Sequence, residues 1–143
     1  MATTWFVRLG LGDQVAVLAD PAAPLSPGLV AAVWSATEPV VVPLRPGDET
    51  STAYRLDPAI VIMLTRRRDR LQHWWSELQP DQQARLLEHR HDWLPESYRH
   101  ILADAEGVLT QSTCPETGAT RLRGSPLTRV FLEWQARRAA AAP

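Results

Sequence analysis

Five prolines partition this chain before any periodicity is considered. Pro27, Pro58, Pro80, Pro95 and Pro126 each stand at the head of a segment whose apolar residues recur at helical spacing. Proline lacks an amide hydrogen and fixes φ, so it suits the first turn of a helix and breaks its interior. Ser26, Asp57 and Ser125 directly precede three of these prolines, and their side-chain oxygens suit the free amides of a first turn. A chain punctuated in this way folds as several helices with tight connections.

The helix from Pro27 carries Leu29, Val30, Val33 and Trp34 and stops at Glu38-Pro39. The helix from Asp57-Pro58 spans about 58 to 78, with Leu71, Trp74, Trp75 and Leu78 at i, i+3, i+4 and i+7. Its opening, Ile60-Val61-Ile62, is β-branched and also fits a buried strand. Pro80 opens a helix with Ala84, Leu87 and His91, and Pro95 opens another with Tyr98, Ile101, Leu102 and Ala105. The last helix, from Ser125-Pro126, carries Leu127, Val130, Phe131 and Trp134, and its alanine-rich tail over 140–143 is expected to fray.

Between the helices the pattern turns to strands. Trp5 to Leu9 and Val15 to Leu18 flank Gly10-Leu11-Gly12-Asp13-Gln14, which predicts a hairpin. Val40-Val41-Val42 reads as a strand covered on both faces. Residues 46–56 are polar and without period, as a loop would be. Val108 to Thr113 and Ala119 to Arg123 flank Cys114-Pro115-Glu116-Thr117-Gly118, predicting a second hairpin with Gly118 in the left-handed region. The expected fold class is therefore α+β: a small N-terminal sheet (β-β-α-β) over 1–45, then three helices, a β-hairpin and a C-terminal helix. The length of 143 residues fits one domain, 1–143.

Composition removes whole chemistries. All 15 basic side chains are arginine, so no lysine is present to form an imine or to complete a phosphate loop. One cysteine, Cys114, forms no intrachain disulfide. Asparagine is also absent; like lysine it has A-rich codons, a pattern expected of a GC-rich coding sequence. The net charge of −1 argues against a protein whose whole surface attracts nucleic acid. The most apolar run, Ala59 to Leu64, has six residues against the roughly 20 that cross a bilayer, and Met1 to Leu11 lacks a charged leader with a long apolar core. A cytoplasmic protein without membrane contact is the expectation.

Individual motifs fare poorly. Gly10-Leu11-Gly12 lacks the third glycine of a dinucleotide fingerprint, which would fall at Val15. A phosphatase-type cysteine loop needs arginine six positions after its nucleophile, but Thr120 holds that place and Arg121 follows it. Glu88-His89-Arg90-His91-Asp92 is the densest run of metal-ligand types, yet His89 and His91 would point about 200° apart on a helix. A helix-turn-helix register over 80–101 puts Glu88 at its turn glycine.

Arg66-Arg67-Arg68-Asp69-Arg70 followed by Trp74-Trp75 is the most distinctive segment. Arginine forks suit carboxylate and phosphate, and tryptophan with arginine anchors interfaces. Arg67 falls on the continuation of the apolar stripe, so it should be partly buried or paired, with Asp69 and Glu77 as candidate partners. The candidate binding residues are therefore Arg66, Arg67, Arg68, Arg70, Trp74 and Trp75, with no catalytic residue, metal ligand or cofactor assigned. The expected function is that of a small accessory or regulatory protein acting on a protein partner, a second copy of itself included. The alternative is a nucleic-acid-binding regulator using Arg66 to Arg70. A hydrolase with His89, His91, Asp92 or Cys114 at its site comes third.

Overall fold

The computed structural model of the chain describes residues 4–34, 40–44 and 53–143. It is an α+β fold with two small antiparallel sheets among the described residues. The chain forms two compact units, Met1–Arg67 and Arg68–Pro143.

The first unit corrects the N-terminal expectation. The segments predicted as a hairpin are helices, α1 (Thr4–Val7) and α2 (Leu11–Ala19). Val15 and Leu18 lie one helical turn apart and are buried, while Asp13 and Ala16 stay exposed. The one-sided burial available to a helix outweighs the β-propensity of the valines. Gly10 is the N-cap of α2 in an extended conformation, and Asp13 meets the positive end of the helix dipole. Gln14 Nε2 donates to the Phe6 carbonyl at 2.9 Å, linking the two helices. α3 (Pro27–Trp34) follows as expected, its first turn capped by Ser26 Oγ, which accepts from the Leu29 amide at 3.2 Å.

The strand expected at 40–42 is β1 (Val41–Pro43), which pairs antiparallel with β2 (Tyr54–Leu56) in the register Val42 to Arg55. It is half-buried and not covered on both faces. β2 also occupies the end of the predicted 46–56 loop. The rest of that loop, over 46–52, and the helix stop at Glu38-Pro39 lie outside the described residues.

α4 (Pro58–Glu77) is one continuous helix, so Ile60-Val61-Ile62 is helical and not a strand. Asp57 Oδ1 accepts from the Ala59 amide at 2.9 Å and begins it. Ile60, Leu64, Leu71 and Trp74 form its buried stripe. No helix among the described residues is long and apolar enough to cross a membrane.

The second unit contains α5 (Pro80–Glu88), β3 (Leu94–Pro95), a 3₁₀ turn over Glu96–Tyr98, α6 (Arg99–Glu106), β4 (Leu109–Thr113), β5 (Thr120–Gly124) and α7 (Pro126–Ala141). Pro95 caps the 3₁₀ turn, and the α-helix predicted to start at it begins at Arg99. It also pairs with Arg121 while Leu94 pairs with Leu122, which makes it an edge-strand residue. The hairpin β4–β5 is as expected, and Gly118 turns with φ of 72°. The tail expected to fray is helical to Ala141, consistent with the high helix propensity of alanine.

The sheet order β3-β5-β4 puts β5 at the centre. Leu122 is fully buried on one face, where α6 and α7 pack against β5. Gly124 permits this approach: a Cβ there would lie 3.0 Å from Thr128 Cγ2. Thr128 is itself buried, and its amide and hydroxyl both engage Ser125 Oγ. Ser125 in turn donates to the Glu106 carboxylate, tying the end of α6 to the start of α7. With Thr128 pinned, Gly124→Ala should cost about 1–3 kcal/mol of stability in a urea titration, and Gly124→Ala paired with Thr128→Ser should recover part of it.

Candidate functional site

The structure disperses the residues singled out in the sequence. Arg66 and Arg70 are exposed, one helical turn apart, whereas Arg67 and Arg68 are half-buried and engaged. Arg67 is thus partly buried as expected. Of its two candidate partners, Asp69 lies 3.8 Å from Arg68, and Glu77 lies 3.4 Å from His73. Trp74 is 5% exposed and donates its Nε1 hydrogen to the Ile101 carbonyl at 2.9 Å, which makes it a core residue. It borders a polar groove of about 450 Å³ that also takes in Arg70, His73, His100 and Asp104. Trp75 lines a separate groove with Gln83, Leu87 and Arg138. Trp74, Trp75, Phe131 and Trp134 form a chain of rings with centroids 5.8–6.2 Å apart. Much of the tryptophan content therefore packs inward.

The histidines also separate. His89 Nδ1 lies 3.3 Å from Asp92, while His91 Nε2 lies 3.0 Å from Glu133 Oε2. Arg90 Nε donates to the same Oε2 at 2.7 Å, and Arg137 Nε donates to Oε1 at 3.1 Å. Burial raises the Glu133 carboxyl pKa, but hydrogen bonds from Arg90 and Arg137 outweigh it and hold the group below the usual range. Among the described residues, no three His, Cys, Asp or Glu side chains gather as a metal site.

A different surface assembles on the sheet. Alternation along β5 sends Leu122 inward and Arg121 and Arg123 to the opposite face. Cross-strand pairing sets Ser112 beside Arg121 and Thr110 beside Arg123 on that face. Trp93, the residue before β3, completes it: the Arg123 guanidinium lies 4.2 Å from its ring centroid and that of Arg121 4.9 Å. Two cations share one indole. The Nε atoms of both arginines are shielded from water without a hydrogen-bond partner, and neither side chain is paired with a carboxylate among the described residues.

No protein-family model, curated protein or solved structure matches this chain.

Cys114 ends the Thr110, Ser112 column and is a free thiol. The Thr117 hydroxyl, then the amides of Thr117 and Glu116, lower its pKa against the opposing effect of burial, and the Arg121 charge adds to them; the result is about 7. Its alkylation rate by iodoacetamide should rise through a midpoint near pH 7, and Thr117→Val should move that midpoint upward. Unchanged titration in the variant would remove the hydroxyl from this account.

Arg121, Arg123 and Trp93 were missed in the sequence. The available signal was the alternation Thr120-Arg121-Leu122-Arg123, a strand with one apolar and one cationic face.

Proposed function

We propose that this chain is a non-enzymatic accessory protein that works by binding another protein through the Trp93, Arg121 and Arg123 face of its three-stranded sheet. The observation that carries this reading is the pair of guanidiniums stacked on a single indole, neither paired with a carboxylate among the described residues. Tryptophan and arginine are the side chains in which binding energy concentrates at protein interfaces. A nucleic-acid base has less to gain here, because the guanidiniums occupy the stacking partner it would use and the net charge of −1 supplies no long-range attraction. A cytoplasmic setting belongs to the same reading, since a lone reduced thiol such as Cys114 persists there.

The test is recovery of a partner from the source organism with the wild-type chain as bait and an Arg121→Glu/Arg123→Glu variant beside it. The expected result is a protein retained by the first and lost by the second at unchanged melting temperature. Equal recovery by both rejects the reading. The second reading, a nucleic-acid contact, is supported by the exposure of Arg66 and Arg70 along one side of α4. It predicts a salt-sensitive gel shift that Arg66→Gln/Arg70→Gln abolishes.

A further inference from the structure

β4 is an edge strand, pairing with β5 alone among the described residues. Cys114 donates its amide to the Ala119 carbonyl at 2.8 Å, so the inward-bonding positions of this strand are Thr110, Ser112 and Cys114. The amides of Gln111 and Thr113 therefore point to the open side. Free edges are ordinarily blunted by charge, proline or a bulge, because unpaired backbone groups recruit other strands. Leu109-Thr110-Gln111-Ser112-Thr113 carries no charge and no proline, and its pairing with β5 runs unbroken over five residues.

The side chains beside this edge state what would pair with it. On β4 the cross-strand neighbours of Arg123 and Arg121 are Thr110 and Ser112, both short and hydroxylated. A strand added to β4 would lie about 5 Å beyond it and about 10 Å from β5, so long acidic side chains on this face would reach over those hydroxyls toward guanidiniums that stack on Trp93. Arg121 and Arg123, two residues apart on a strand, have backbone positions about 6.6 Å apart, the repeat of alternate residues in any extended peptide. We infer that β4 accepts an extended, acidic segment of a partner protein as a fourth strand, with carboxylates at alternate positions facing Arg121 and Arg123. This rests on the protein-binding reading above and specifies the partner. Main-chain bonds to Gln111 and Thr113 supply affinity, and the arginines select for acid. A second copy of the chain is a poorer occupant through this edge, because β4 contributes no carboxylate of its own. Nucleic acid offers no strand-like ladder for the two amides.

The experiment uses the full chain and a fluorescein-labelled heptapeptide alternating threonine and glutamate. Saturable binding is expected, weakened at least tenfold by Arg121→Gln/Arg123→Gln, by Thr113→Pro, and by replacing glutamate with lysine in the peptide. The Gln111 and Thr113 amides should gain hydrogen-exchange protection on binding. Should Thr113→Pro fold poorly, a peptide N-methylated at alternate amides removes the ladder from the other side and should lose binding equally. Absence of binding at millimolar peptide, indifference to both backbone changes, equal competition by oligothymidylate, or a β4-dependent dimer of the chain would each overturn the inference. In those cases arginine-dependent partner recovery would still stand or fall separately, because it does not require the edge.

Discussion

Trp74→Ala should lower the unfolding free energy by about 3–5 kcal/mol, read from a urea denaturation curve. The side chain is 5% exposed, touches the Trp75 ring, and holds the Ile101 carbonyl of α6. Removing it leaves a cavity and an unsatisfied acceptor together. Trp74→Phe keeps most of the burial but not the hydrogen bond and should cost about 1–2 kcal/mol. The pair of values separates packing from hydrogen bonding. A loss below about 1 kcal/mol for the alanine variant would mean that Trp74 sits at a surface and not in the core.

Glu133→Ala should cost about 1–3 kcal/mol at neutral pH, less than an entirely buried ion pair because its partners Arg90, His91 and Arg137 reach solvent. The effect depends on pH in a defined direction. The carboxyl pKa is held below its unfolded value of about 4.5, so the stabilisation is fully present above that value. It is lost as pH falls through the folded-state pKa, where the native protein must take up a proton. The difference between wild type and Glu133→Gln, measured by thermal melts, should be largest near pH 7 and close to zero at the acid end. A difference that grew on acidification would contradict this arrangement of charges.

Glu133 also shows where sequence reading stops. His91 stands beside Asp92 in a run of metal-ligand types, but its partner Glu133 is 42 residues further on, on α7. The N-terminal segment fails for a related reason. Trp5, Phe6, Val15 and Val17 favour strands by side-chain type, and packing of one face selected helices.

Elements whose causes are local are legible in the chain. Ser26, Asp57 and Ser125 cap first turns beside their prolines, α4 follows its apolar stripe, and Gly118 closes the β4–β5 hairpin. These depend on atoms within a few residues of one another. Which charged groups meet depends instead on contacts between distant segments. Trp93 reaches Arg121 and Arg123 because β3 pairs with β5 across nearly 30 residues, and Arg67 and Arg68 are half-buried because α4 turns them toward its apolar side. Spacing along a chain assigns a side chain to a face of its own element. Which face another element covers, and which brings two arginines onto one indole, follows from long-range pairing that no local pattern encodes.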